Sequence, residues 1–168
     1  MAQPYAVRLV SSGWISWLMH SVRTGIGTAA SLAAARLLSL PEAYWAPITT
    51  IIVMQSTLGA SWDASKPRFI GTALGAALGG LLASYLQPGI IVLGVAILAL
   101  GMICAALRLD QSAYRFAGIT LMIVTLVARG NAPVVIAAHR FVEVSLGIAV
   151  ALALTALWPG RELASGKK

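Results

Sequence analysis

The feature that most constrains this chain is an uncharged apolar run behind a basic head, at residues 66–89 (KPRFIGTALGAALGGLLASYLQPG). The run is about twenty residues long, which as a helix matches the ~30 Å hydrocarbon core of a bilayer. Three glycines are spaced four residues apart in it, so a helix places them on one face: Gly71, Gly75 and Gly79. Small residues at this spacing let a second helix approach closely in lipid. The stretch therefore predicts a closely packed membrane-spanning helix.

A second stretch of the same design lies at residues 139–160 (HRFVEVSLGIAVALALTALWPG). The matched residues, at shifts of 71 or 72 positions, are Arg68 with Arg140, Gly75 with Gly147, and Thr49 with Thr120. An internal repeat of three spans makes the second copy enter the membrane from the opposite side. This inverted-topology repeat is an architecture of secondary transporters.

The composition requires a membrane environment for most of the chain. Hydrophobic residues make up 59% and charged residues 10% of the 168 positions, against roughly 45–50% and 25% in soluble domains. We therefore predict an all-α integral membrane protein with six transmembrane helices arranged as two inverted three-helix repeats. The predicted parts of this single membrane domain (1–168) are an interfacial N-terminal helix (1–20), two repeats (20–89 and 90–160) and a basic cytoplasmic tail (161–168).

The net charge of +7 comes from basic residues dispersed along the chain, mostly at the ends of apolar runs. That pattern is typical of contact with lipid headgroups, and it argues against nucleic acid as a partner. Six spans would place seven of these residues on one side: Arg8, Lys66, Arg68, Arg108, Arg161, Lys167 and Lys168. The other side would hold Arg36, Arg129 and Arg140. The positive-inside rule then puts both termini in the cytoplasm.

Motifs of enzymes and metal sites are absent from the sequence. It contains no GxxxxGK[ST], no HExxH and no nucleophile-elbow serine. Its one cysteine, Cys104, lies in an apolar run without metal-ligand spacing. We therefore expect neither catalysis nor a cofactor nor a metal.

Four arginines within or beside the apolar runs are candidate ligands for an anion: Arg23, Arg68, Arg115 and Arg140. A guanidinium group binds carboxylate through two hydrogen bonds and keeps its charge when dehydrated. Arg115 and Arg23 lie about one turn inside their predicted helices, and Arg115 is the leading candidate. The alternative for both is a side chain that extends to the membrane interface. For Arg68 and Arg140, at predicted helix starts, anchoring is the alternative.

Glu143 follows Arg140 by one helical turn in an apolar run. It either neutralises that arginine at i,i+3 or couples transport to a proton, because a carboxyl group held away from water binds a proton more readily. The second and fifth spans are short and equivalent in the repeat, a pattern that points to a transport site. Their candidate polar ligands are Thr49, Gln55 and Thr120.

The run YWAPITTIIVMQSTLGAS, followed by KPRFIGTALGAALGG, resembles the fusaric-acid-resistance-like family, which includes the aromatic acid exporters. A second landmark of that family, a helix from Arg to Trp-Pro, is similar to residues 140–159. The resemblance covers nearly the whole chain. It implies a secondary carrier in the bacterial inner membrane that exports small organic acids, aromatic carboxylates above all. Many members carry a cytoplasmic domain or a duplicated membrane unit, so this lone unit is expected to form a homodimer or a higher homo-oligomer.

Two other functions stay open at this point. A passive anion channel would conduct without a driving ion gradient. A non-transporting subunit of a membrane or envelope assembly would tolerate neutral polar residues in place of the arginines within the spans. The need for a periplasmic adaptor protein is also open.

Overall fold

The structure, a computed structural model, describes residues 5–87, 89–127 and 132–158, with side chains from residue 14 onward. The predicted basic tail at 161–168 and Arg129, which is predicted on the side opposite the termini, lie outside the described residues. Every regular element in the described ranges is a helix, so the all-α prediction is confirmed there. The helices are α1 (Tyr5–Leu37), α2 (Trp45–Val53), α3 (Leu58–Tyr85), α4 (Ile90–Ala106), α5 (Gln111–Val127) and α6 (Pro133–Leu157).

Helix α1 is continuous over 33 residues. It therefore contains both the predicted interfacial segment and the predicted first span, with no break at residue 20. Its exposed tryptophans, Trp14 and Trp17, lie on the part that was assigned to the membrane interface, where tryptophan is enriched.

Helix α3 begins eight residues earlier than the basic head of the apolar run suggests. The polar composition of residues 59–67 favours a loop between two spans, but that expectation is wrong, because the Thr57 hydroxyl caps the helix by accepting a hydrogen bond from the Ala60 N–H at 3.2 Å. Ser65 Oγ donates within the helix to the Ser61 carbonyl at 2.7 Å, and Ser61 Oγ accepts a hydrogen bond from the Gln55 N–H at 2.9 Å. Polar composition here is typical of a loop, whereas these hydroxyls bond to the helix and to the segment before it.

The glycine face of α3 packs against α5. A Cβ added at Gly75 would lie 2.9 Å from Thr120 Cβ, and one at Gly79 would lie 3.1 Å from Leu121 Cα. At Gly71 an added Cβ would lie 3.0 Å from the Ala117 nitrogen. Real Cβ atoms essentially never come closer than 3.0 Å to such neighbours. Gly71 and Gly75, where an added Cβ would clash with the Ala113 and Ala117 carbonyl oxygens, therefore accept only glycine at this helix separation, whereas at Gly79 the neighbours would have to give by a few tenths of an ångström.

An equivalent contact joins α6 to the short helix α2. A Cβ added at Gly147 would lie 2.7 Å from Thr49 Cβ and would clash with the Ala46 carbonyl oxygen, just as a Cβ at Gly75 would clash with the Ala117 carbonyl oxygen. The pairs in the two contacts are separated by the same 71 or 72 positions that relate the two stretches of sequence. Thus α3 packs on α5 and α6 packs on α2, while α3 and α6 contact each other.

Large apolar side chains are exposed on every helix of the bundle, among them Ile26, Ile51, Leu81, Leu98, Ile119 and Val142. Apolar exposure of this extent is typical of a surface that faces lipid. By length and composition, one helix among the described residues, α6, is long and apolar enough to cross a membrane. Helices α4 and α5 are apolar and have 17 residues each.

Candidate anion-binding site

An arginine on α3 and an arginine on α6 are buried close to each other in the bundle. Arg68 is 6% exposed and Arg140 is 3% exposed. The aromatic residues that follow them, Phe69 and Phe141, are in contact, with ring centroids 5.0 Å apart. Because α3 begins at Leu58, Arg68 lies almost three turns inside its helix and cannot act as an anchor at a helix start.

The guanidinium groups of Arg68 and Arg140 each lie over an aromatic ring from a different helix. Arg68 Cζ is 4.6 Å from the ring centroid of Phe116 on α5, and Arg140 Cζ is 3.4 Å from the ring centroid of Trp45 at the start of α2. The ring quadrupole attracts the cation at this range. Trp45 and Phe116 are separated by 71 positions, which is the shift that also relates Ala46 to Ala117 in the glycine contacts.

The polar contacts leave part of each guanidinium group free. Arg68 Nη2 donates to Thr49 Oγ1 at 3.0 Å, while Arg68 Nε has no hydrogen-bond partner among the described residues. Arg140 Nε and Nη1 have none either. Within the described ranges, no carboxylate lies within 4 Å of Arg68. Buried donors are rarely left unpaired, so these groups could bind a ligand.

Glu143, which is fully buried, lies beside Arg140. Its Oε2 atom is 4.0 Å from Arg140 Nη1, close enough for attraction between the charges and too far for a hydrogen bond. Its Oε1 atom accepts a hydrogen bond from the Glu42 backbone N–H at 3.1 Å, and the Glu42 carboxylate accepts one from Trp45 Nε1 at 2.8 Å. A chain of contacts thus runs from Glu143 through Glu42 and Trp45 to Arg140.

Arg140 and Glu143 open onto a cleft of about 330 Å³ that is also lined by Glu42, Val135 and Ile136. The cleft combines apolar walls with a few convergent polar groups, as small-molecule sites do. Its volume suits a small organic anion, with room for a carboxylate at Arg140 and an apolar body against the valine and isoleucine. Glu42 is a site residue that sequence reasoning missed, because its position in a turn indicated only the end of a span.

Arg23, another candidate from the sequence, is 3% exposed. Its two terminal nitrogen atoms donate to backbone carbonyls, while its Nε has no hydrogen-bond partner among the described residues. Its Nη1 atom donates to the Trp158 carbonyl at 2.8 Å, and its Nη2 atom donates to the Gln55 carbonyl. Gln55 contributes its backbone to this contact, and its side chain turns back toward the Ile52 carbonyl. Arg23 therefore joins α1 to the ends of α2 and α6.

The structure does not bring Arg115, the leading candidate from the sequence, to the buried arginines. Its side chain is exposed and lies in a groove beside α4. Thr49 contacts Arg68 and is buried against Gly147, whereas Thr120 is buried against Gly75. The structure thus places Arg68, Arg140, Thr49 and Glu143 in one region and leaves Arg115 outside it.

An exposed apolar surface and arginines buried inside the helical bundle, one of them beside a cleft, are together typical of a membrane protein with a polar interior. The chain matches the profile of the family described as "Fusaric acid resistance protein-like" over residues 28–154, and it belongs to that family. It is similar to the "Inner membrane protein YeeA" of Escherichia coli (strain K12), at 30% identity over 151 residues that cover 86% of this chain. The chain spans 42% of the length of that relative. No solved structure matches it.

Proposed function

We propose that the protein is a secondary carrier that exports small organic acids, above all aromatic carboxylates, across the inner membrane. The observation that carries the proposal is Arg140, a buried cation on a cleft that also holds Glu143. Two of its nitrogen atoms have no hydrogen-bond partner within the described part of the chain. Burial strengthens the attraction between a guanidinium group and a carboxylate. Intramembrane ionisable residues are in general signs of a transport path.

The proposed architecture is six spans in two inverted three-helix repeats with both termini in the cytoplasm. Support comes from contacts that recur at a shift of 71 or 72 positions. Arg68 lies over Phe116 as Arg140 lies over Trp45, and two glycine contacts show the same relation. In transporters built this way, the binding site lies where the repeats meet.

The choice of aromatic carboxylates rests on the cleft and on the family. Valine and isoleucine side chains line the cleft beside the guanidinium group, which suits a ligand with an apolar body and one acidic group. The family is named for resistance to fusaric acid, which is an aromatic carboxylic acid.

Glu143 provides the means of coupling to protons. When its carboxyl group is ionised, it compensates the charge of Arg140 at 4.0 Å. When it is protonated, that compensation is lost and the guanidinium group attracts a substrate carboxylate instead. The anion and a proton therefore bind and cross together, so export proceeds when the outward gradient of the acid exceeds the inward gradient of the proton. We expect flux to rise when the compartment that holds the anion is acidified.

The test is flux of radiolabelled benzoate in proteoliposomes of purified protein, with and without an imposed pH gradient, after subtraction of the flux in protein-free liposomes. We expect Arg140→Gln to reduce saturable flux at least tenfold, and Glu143→Gln to remove the response to the gradient. Arg36→Gln is the matched control, because Arg36 is an exposed arginine in the last turn of α1.

Three results would contradict the proposal. Full flux in Arg140→Gln would show that Arg140 does not bind the transported anion. Flux that follows the anion's own electrochemical gradient, with no response to pH, would indicate a passive channel. Wild-type flux equal to that of empty liposomes would indicate a non-transporting assembly subunit.

A further inference from the structure

An apolar groove runs along the outside of the bundle between α4 and α5, with a volume of about 550 Å³. Ile97 of α4 lines one side, and Ile119, Met122 and Ile123 of α5 line the other. Arg115 contributes its one charged group. The groove is separate from the cleft at Arg140, with which it shares no lining residue.

Two glycines explain the shape of this groove. At Gly101 of α4 an added Cβ would lie 3.3 Å from Tyr114 Cε2, so the tyrosine ring packs directly on the α4 backbone. At Gly118 of α5 an added Cβ would lie 3.5 Å from Ile97 Cδ1, which is ordinary contact. The two helices therefore meet at Tyr114, and the missing side chain at Gly118 leaves the space beyond it open.

The groove has a charged end and an apolar remainder. Arg115, Ile119, Met122 and Ile123 follow one another at i, i+4, i+7 and i+8, which places them in a stripe on one face of α5. At 1.5 Å per residue the stripe extends about 12 Å from the arginine. Among the described residues, Arg115 has no ion-pair partner within 4 Å. Arg108, also exposed, lies just beyond the end of α4 on the same side of the bundle.

We propose that this groove binds one anionic phospholipid, with the lipid phosphate at Arg115 and an acyl chain along the apolar stripe. Charge complementarity selects the ligand, because a guanidinium group at the end of a lipid-facing groove pairs with an anionic headgroup. The apolar length of the stripe corresponds to much of one acyl chain. The inference does not depend on transport, since the groove lies outside the proposed path of the substrate.

The test is native mass spectrometry of the purified protein in detergent with phosphatidylglycerol or phosphatidylcholine of identical acyl chains. Wild-type protein should retain phosphatidylglycerol about fivefold better, the ratio that ~1 kcal/mol of charge attraction gives. Arg115→Gln should abolish this preference, and Arg115→Lys should keep most of it. Arg36→Gln, the matched control, should behave as the wild type.

A second pair of variants tests the groove itself. Gly118→Leu fills the space beside Ile97 and leaves Arg115 in place, so it should reduce retention of phosphatidylglycerol, whereas Gly118→Ala should retain the lipid. Equal retention of the two lipids by the wild type, or an unchanged preference in Arg115→Gln, would overturn the proposal. Full retention in Gly118→Leu would overturn the assignment of the acyl chain to the groove.

Discussion

The contact between α3 and α5 gives a sharp prediction at Gly75. In the Gly75→Ala variant the new methyl group would lie 2.9 Å from the carbonyl carbon of Ala117 and from Thr120 Cβ, and it would clash with the Ala117 carbonyl oxygen. The carbon contacts alone are about 0.5 Å short of the 3.4 Å at which ordinary van der Waals contact begins. Because two of the obstructing atoms belong to the backbone, relief requires that α5 move as a whole.

Overpacking of this kind costs about 1–3 kcal/mol. The alanine also favours helix by roughly 0.5–1 kcal/mol relative to glycine. We therefore expect a net loss of about 1–2 kcal/mol in the free energy of unfolding. For a chain of this length that corresponds to a fall in Tm of roughly 3–6 °C.

The assay is thermal unfolding of purified variants in detergent, followed by size-exclusion chromatography of the heated samples. Gly94→Ala is the matched control, since Gly94 lies within α4 and an added Cβ there meets nothing within 4 Å. It should leave Tm unchanged or raise it slightly. Gly147→Ala should lower Tm about as much as Gly75→Ala, because its clash with α2 is equivalent. If Gly75→Ala and Gly94→Ala unfold at the same temperature, the close packing of α3 on α5 is refuted.

Two further predictions concern the buried arginines. Arg23→Gln removes the charge-assisted hydrogen bonds to the Gln55 and Trp158 carbonyls. It should therefore lower the free energy of unfolding by about 3 kcal/mol, which is measured as a fall in Tm. An unchanged Tm would contradict the role of Arg23 in joining α1 to α2 and α6. Thr49→Val keeps the side-chain volume but leaves Arg68 Nη2 without its hydrogen-bond partner. It should therefore lower the free energy of unfolding by about 1–3 kcal/mol in the same assay. A Tm at or above that of the wild type would contradict the hydrogen bond.

The positions of many helices could be predicted from the sequence, because the length of an apolar run and the spacing of its glycines are local properties. The run behind Lys66 indicated a helix with one small-residue face, and α5 packs against that face at Gly75. The short second span corresponds to α2, which has nine residues. The shift of 71 or 72 positions could be found in the sequence alone. It relates the contact of Gly75 with α5 to the contact of Gly147 with α2, although the spacing of residues could not specify which helices would touch.

The location of the arginines could not be predicted, because burial depends on which helices meet. Arg115 was favoured for its distance from a predicted helix end, yet it faces the outside of α5. Anchoring at a helix start was the alternative for Arg68, because the polar residues before it are typical of a loop, whereas the Thr57 cap starts α3 before them. Glu42 entered the site through a backbone contact with Glu143, which pairs residues 101 positions apart and leaves no local signal.

The packing of α3 on α5 and of α6 on α2 has a consequence for how the protein is made. Each half of the chain finds its tightest contacts in the other half, so the first three helices emerge from the ribosome before their partners exist. Arg68 cannot contact the Phe116 ring until α5 has been synthesised. In the same way, the face of α2 at Thr49 has no packing partner until α6 provides Gly147. These contacts should therefore form in one late step, when α6 is released from the insertion machinery, and a truncated chain that ends before α5 should be degraded rather than accumulate.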